Sequence, residues 1–295
     1  MARNAQKYYF PIQESVRSIL PICDEVIVAL DDGEDQTRSL IENIGDNKIK
    51  IFDRVWNQED YVDGRILATE TNFALSQCSG DWCFYIQADE VVHENDLQKI
   101  KAACQKYLLD DEVDGLLFKY KHFFGDYDHY LPVHGWYKNE IRIIKNKRNI
   151  CSIKDAQSFR INGLEKLNVV EIDAHIYHYG WVRPPYLMQA KKKEHDGFHH
   201  NKNAVSNMYK QRGDDFQYGP LGNLPIYTAS HPAVMAEMIA NIFWKSTLDY
   251  GKKLKLNRPL MKHEQLKNKI ITFFENTFNA GKDFFGYTNW IKLKR

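Results

Sequence analysis

The sequence predicts an α/β fold, a mainly parallel sheet flanked by helices and continued by a helical C-terminal extension. Two patterns predict it. Short apolar strands alternate with amphipathic helices through the first half of the chain, and strands joined by crossover helices pair in parallel. Beyond Arg183 the strand signals give way to helical ones, so a sheet domain is expected over 1–183 and a mostly helical extension over 184–295.

The elements follow in order. "PIQESVRSIL" places Ile12, Val16, Ile19 and Leu20 on one helical face. "DEVIVAL" reads as a short buried strand, followed by the turn "DDGED" and a helix carrying Leu40, Ile41 and Ile44. "KIKIFDR" is a second strand, and "GRILATETNFALSQCSG" is a helix from Arg65 that ends near Gly80. "DWCFYIQ" is a third strand running toward Asp89 and Glu90, and "NDLQKIKAACQKYLL" is the helix after it. "VDGLLFKYKHFFGD", "NEIRIIKNK" and "NVVEIDAHIYHYG" are strand-like and complete the sheet, while "PPYLMQAKKKEH" and "HPAVMAEMIANIFWKSTLDYG" read as helices. In such sheets the ligand crevice lies beyond the carboxyl ends of the strands. Asp89 and Glu90 therefore stand where a ligand is expected.

The 295 residues suit one large α/β domain with an appendage. Forty Lys and Arg against thirty-nine Asp and Glu leave no global field for nucleic acid. No apolar run reaches membrane-spanning length and no signal-peptide pattern is read, which points to a cytoplasmic protein. The five cysteines lack metal-type CxxC spacing and read as reduced, buried thiols. "EHDGFHHNK" gathers His195, His199 and His200 around Asp196, but without a zinc-type pattern.

Two stretches carry candidate chemistry. In "ALDDGEDQT", Asp31 and Asp32 can accept hydrogen bonds from a base or ribose, and Gly33 permits close backbone approach. A tight turn with helix-capping aspartates is the plainer alternative. "GRILATETNFAL" alone is explained by an ordinary amphipathic helix.

Together, "DDGEDQT", "GRILATETN", "IQADE" and the "RNA" of Arg3 to Ala5 resemble, in this order, the family 2 glycosyltransferases of GT-A fold, of the lipopolysaccharide-core type. The likeness spans roughly residues 1–183. It implies an enzyme that moves a sugar from a nucleotide-diphosphate sugar to an acceptor hydroxyl with inversion, aided by Mn²⁺ or Mg²⁺. Arg3, Asn4, Asp31, Asp32 and Arg65 would then belong to donor binding. Asp89 matches the last Asp of the family's acidic motif and would be a metal ligand. Gln87 replaces the motif's first Asp, a departure that leaves a neutral amide for ribose or a metal-bound water. Glu90 would hydrogen-bond a sugar. His178 looks like the family's late histidine ligand, and a His beside a carboxylate suits manganese. Arg183 could grip a phosphate with its planar fork. The family's base lies in a loop after the metal strand; Asp155, in polar "SIKDAQS", is preferred to Glu140, which opens a strand-like run. Trp136 could stack on a sugar ring.

The family's first strand, usually central, is not read ahead of "RNA". That keeps open a second reading, a non-catalytic, degenerate domain that binds sugar or a protein. A nucleotidyltransferase is disfavoured, since no Gly-rich basic phosphate loop appears near the N-terminus. The basic run "GKKLKLNRPLMKHEQLKNK", with Phe273, Phe274, Phe284, Phe285 and Trp290 nearby, is a solvated face or a contact for an anionic membrane carrying a lipid-linked acceptor.

Overall fold

The computed structural model describes residues 1–57, 61, 63–198, 202–210, 212–253, 255–279, 283–284 and 287–295. His199, His200 and Phe285 lie outside the described residues. Helix α1 (Ile12–Ile19) buries Ile12, Val16 and Ile19, the i, i+4, i+7 stripe of its sequence. Strand β1 (Val26–Asp31) passes through α2 (Thr37–Glu42) to β2 (Ile49–Arg54), and the two strands pair in parallel. Then come α3 (Arg65–Ser76), β3 (Trp82–Phe84), β4 (Glu90–Val92), α4 (Leu97–Lys106), β5 (Gly115–Phe124), β6 (Asn139–Lys145), β7 (Ile150–Ile153), β8 (Ser158–Ile161) and β9 (Glu165–Trp181). The chain continues through α5 (Pro185–Asp196), α6 (Lys202–Tyr209), α7 (Ala236–Ala240), α8 (Leu266–Phe278) and β10 (Trp290–Lys292).

The large sheet runs β3-β6-β5-β9-β8-β7, with β4 and β10 also paired to β9. The α/β architecture is as the sequence predicts, but the pairing is mixed. Strands β5 and β9 are parallel, as are β9 and β10, whereas β6 is antiparallel to β3 and β5, and β4 and β8 are antiparallel to β9. The reason is connectivity. Among β5 to β9 no helix intervenes, and strands joined by short loops fold back on each other.

The third predicted strand also differs from expectation. It stops at Phe84, turns at Gln87 (Glu90 N–H to the Gln87 carbonyl, 3.0 Å) and restarts as β4. Asp89 thus sits in a junction between two strands, not on the tip of one. At the N-terminus Ala2 makes a parallel bridge to Leu30, its N–H reaching Ala29 O at 2.8 Å and its carbonyl accepting from Asp31 N at 3.1 Å. Between β1 and β3 lies a cavity of about 500 Å³, lined by Ile27, Trp82 and four free thiols, Cys23, Cys78, Cys83 and Cys104.

The C-terminal segment is anchored by charge. Glu275 of α8 is fully buried and accepts from Lys138 Nζ (2.9 Å), from His134 Nδ1 (2.8 Å) and from the Phe284 N–H (3.1 Å). Thr272 Oγ1 accepts from the His134 N–H at 2.9 Å. Beyond α8, β10 joins the sheet beside β9. Glu275→Ala removes the acceptor of these bonds, and each charge-assisted bond is worth about 1.5–3 kcal/mol. Hydrogen exchange should show lost protection in α8 with β5 and β9 unchanged. Protection retained in α8 would mean that its attachment does not rest on Glu275.

Candidate active site

A cavity of about 1180 Å³ draws its walls from distant parts of the chain: Arg3 and Trp56, Gln87 and Asp89 of the β3–β4 junction, Glu140 of β6, Asp155 of the β7–β8 turn, His178 of β9 and Lys191 of α5. Strand pairing brings its centre together. Glu90 lies opposite His178 in the β4–β9 ladder, and the Tyr179 N–H reaches Asp89 O at 2.8 Å, so Asp89 is delivered to the His178 ring. Asp89 Oδ2 and His178 Nε2 stand 3.8 Å apart.

The hydrogen bonds decide which protons that histidine carries. His122 is the register partner of His178 across β5 and β9. Its Nε2 lies 2.7 Å from the Tyr137 carbonyl, which can only accept, so that nitrogen bears a proton. Burial, then the neighbouring His178, pushes the His122 pKa down to about 3, and the ring is neutral. Its Nδ1 is therefore an acceptor, and His178 Nδ1, 2.9 Å away, must donate to it. Burial likewise lowers the pKa of His178. The remaining nitrogen, Nε2, turns a lone pair toward the Asp89 carboxylate.

Two acceptors facing each other favour a cation between them. A Cβ on Gly180 would stand 2.5 Å from His178 Nε2 and 2.7 Å from Asp89 Oδ2, so only glycine leaves the intervening space open. Two neighbouring donors of an octahedral cation, each bonded at about 2.1 Å, lie about 3.0 Å apart, so the 3.8 Å gap would have to close by several tenths of an ångström around one. Lys191 is the cation at hand: its Nζ is 3.5 Å from Asp89 Oδ2 and 3.0 Å from the Gly180 carbonyl. Burial and then Arg183 push its pKa down to about 7. Burial opposes the charge on Asp89, but Lys191, then His178 and Arg183, outweigh it and hold the carboxyl below its ordinary pKa. A second trio, His134, Glu275 and Asp283, has ligand atoms within 4.8 Å of one another. There the Lys138 ammonium lies 2.9 Å from Glu275 and 2.7 Å from Asp283.

Of the residues expected from sequence, Arg3, Gln87, Asp89, Asp155 and His178 line this cavity. Asp31 sits behind Arg3, its Oδ2 3.0 Å from Arg3 Nε and its Oδ1 accepting the Trp56 N–H. The others are placed elsewhere. Asn4 is buried and its Oδ1 accepts the Glu34 N–H at 3.0 Å; a Cβ on Gly33 would meet that same oxygen at 2.5 Å, so the glycine accommodates Asn4. Asp32 and Arg65 are exposed outside the cavity. Glu90 is fully buried, its four acceptor positions taken by Arg142 Nε (2.9 Å) and Nη2 (2.7 Å), the Tyr120 hydroxyl (2.7 Å) and the Gln87 N–H (3.1 Å). Nothing remains for a sugar. Trp136 packs against His122 and Trp181, and its neighbour Tyr137 faces the cavity instead. Arg183 is fully buried, bonded to the carbonyls of Tyr8 (2.7 Å) and Gly180 (3.1 Å), out of reach of a phosphate.

Lys191 and His122 went unread in the sequence. Lys191 follows the buried Met188 by three residues, a helical spacing that puts both on the inner side of α5; His122 has only its strand partner to mark it. Glu140 gains weight. It is buried, its Oε2 has no hydrogen-bond partner among the described residues, and burial, against the pull of Arg142, raises its pKa to about 7. Asp155 is flanked by Lys154 (φ 55°) and Ala156 (φ 57°), two non-glycine residues in the left-handed region, each costing on the order of 1 kcal/mol.

Arg142→Met would leave the Glu90 carboxylate buried beside an apolar group. Denaturant unfolding should then show a loss of about 3–5 kcal/mol. A loss below about 1 kcal/mol would mean that the pair is not what holds the junction.

Comparison with known proteins adds the family. Two crystal structures of TarS from S. aureus show low overall similarity. One matches with 17% identity and a TM-score of 0.39, covering 71% of this chain and 38% of that one. The other, TarS 1-349 in complex with UDP, matches with 14% identity and a TM-score of 0.38, covering 71% of this chain and 68% of that one. The chain thus spans well under half the length of the first. No curated protein matches. The profile described as Glycosyl transferase family 2 matches residues 4–164, more than half of the sequence, from Asn4 through the Asp155 turn. The chain belongs to glycosyl transferase family 2.

Proposed function

We propose that the protein transfers a sugar from a nucleoside-diphosphate sugar to an acceptor hydroxyl, with inversion, and that Asp89 and His178 hold a divalent cation, Mn²⁺ or Mg²⁺, for this reaction. The observation that carries the reading is the Asp89 carboxylate facing the His178 lone pair across the space beside Gly180. When bound, the cation would offset the negative charge that gathers on the departing diphosphate. Arg3, held by Asp31 and by the Tyr61 hydroxyl and lying 5.2 Å over the Trp56 ring, would meet the nucleotide. Gln87 offers an amide to ribose or to a bound water.

Asp155 is the proposed base. It takes the acceptor proton as the new bond to the anomeric carbon forms and the bond to the diphosphate oxygen breaks on the opposite face. The strained turn around it supports the assignment, since such backbone persists where the surroundings hold it. Glu140 is the second candidate, favoured by its unpartnered oxygen and its pKa near 7. The acceptor would be a glycan or a lipid-linked saccharide, the latter placing the protein at the inner face of a membrane.

Calorimetric titration of nucleoside diphosphates with and without Mn²⁺, beside donor hydrolysis, tests the metal. Asp89→Asn should bring metal-dependent hydrolysis to background with an unchanged Tm, and His178→Ala should weaken it less. His122→Phe, which leaves the His178 proton without an acceptor, should lower Mn²⁺ affinity about 10–100-fold. Metal-dependent turnover surviving in Asp89→Asn would refute the assignment. If the wild-type protein binds no nucleotide and hydrolyses no donor, the non-catalytic reading replaces this one.

A pH profile separates the two carboxylates. A base must be unprotonated, so with Glu140 in that role activity rises as pH rises through about 7, and Glu140→Gln abolishes turnover. With Asp155 as base, Asp155→Asn is inactive while Glu140→Gln still turns over. Stability gives an independent reading. The folded pKa of Glu140 is raised, so its contribution is present below about 4.5 and is lost as pH rises through about 7. Glu140→Gln should therefore raise Tm relative to wild type at pH 8 and change it little at pH 4.5.

A further inference from the structure

Helix α8 is amphipathic in the unexpected sense. Its inward stripe is largely polar, with Asn268, Thr272 and the buried Glu275, while Leu266, Ile270, Phe273, Phe274 and Phe278 point outward at 72, 49, 63, 47 and 70% exposure. At 100° per residue these five occupy a single continuous arc of the helix. Phe274 stacks on Phe278 and meets Phe273 edge-on, so they form a patch and not scattered residues. A patch of this kind marks a contact surface.

We propose that this face docks on an anionic lipid bilayer. Charge identifies the occupant. Residues 251–274 carry six lysines (Lys252, Lys253, Lys255, Lys262, Lys267 and Lys269), and the only acidic residue among them, Glu264, is engaged bidentately by Arg258 at 2.7 and 2.8 Å. A second copy of the chain, packed face to face, would set Lys267 and Lys269 against like charges with no carboxylate on the patch to answer them. Anionic headgroups answer them, and the phenylalanines enter the acyl boundary beneath. No described helix is long and apolar enough to cross the membrane, so this would be a surface contact. The helix adjoins the large cavity. Lys138 and Asp283 line that cavity and tie it to Glu275 or to each other, and Lys262, one turn before α8, lines it too. A lipid-borne acceptor would meet the mouth of the site from the bilayer side. That last step rests on the transferase reading; the docking does not.

Cosedimentation of the full chain with vesicles of phosphatidylcholine alone, or mixed with phosphatidylglycerol, tests this. The protein should pellet with the mixed vesicles and be released by salt. The triple variant Phe273→Ser/Phe274→Ser/Phe278→Ser, and separately Lys267→Glu/Lys269→Glu, should each weaken binding at least about tenfold. Both should leave Tm and donor hydrolysis in vesicle-free solution unchanged, which keeps this test apart from that of the active site. Absence of vesicle binding by the wild-type chain would overturn the proposal, as would variants that bind equally well. A dimer in light scattering that the serine variant dissolves would also overturn it, and would assign the face to a second copy.

Discussion

The ion pair between Glu90 and Arg142 holds the geometry on which the site depends. Its carboxylate has no contact with solvent, and it closes the β3–β4 junction from within by also accepting the Gln87 N–H. A buried charge is tolerable only when every lone pair is satisfied, and here each is. The pair locks β4 against β6, while β4 pairs with β9, so the backbone of Asp89 has little freedom relative to His178. A residue that looked from sequence like part of the chemistry is instead what places its neighbour.

The same division recurs around the "DDGEDQT" turn. Asn4, Asp35 and Thr37 spend their side chains on backbone amides: Asn4 takes that of Glu34, Asp35 that of Lys7, and Thr37 that of Ala5. The motif ties the N-terminal segment to the end of β1 and thereby presents Arg3 to the cavity. Short polar side chains bond readily to nearby backbone, which is why such turns are dense in them.

How much was legible follows from these contacts. The helix–strand alternation through α4 is local information, carried by periodicity, and it reads correctly from Ile12 to Lys106 apart from the break after Phe84. Strand direction beyond β5 is not local, because the order of β5, β6 and β9 depends on partners up to about sixty residues apart. Asp89 could be proposed because it follows an apolar run at a turn, and His178 from its likeness to the family's late histidine ligand. The inward face of Glu90 could not, since adjacent residues of an extended chain point to opposite sides and only the fold says which side is solvent. His122 lay inside a strand of mixed aromatics, and nothing but its register with His178 gives it a role.

The gap between β1 and β3 has a mechanical consequence. Strands β1 and β2 share a ladder with each other and Ala2 bridges to β1, yet among the described residues no ladder pairs them with the large sheet. Their attachment is apolar instead: Val26, Val28 and Leu30 of β1 share one buried core with Leu116, Phe118, Val170 and Ile176 of β5 and β9. The part of the cavity that Arg3 and Trp56 supply is thus joined to the rest by packed side chains and not by a sheet ladder. A ligand bound across both parts would bridge a seam that no backbone ladder closes.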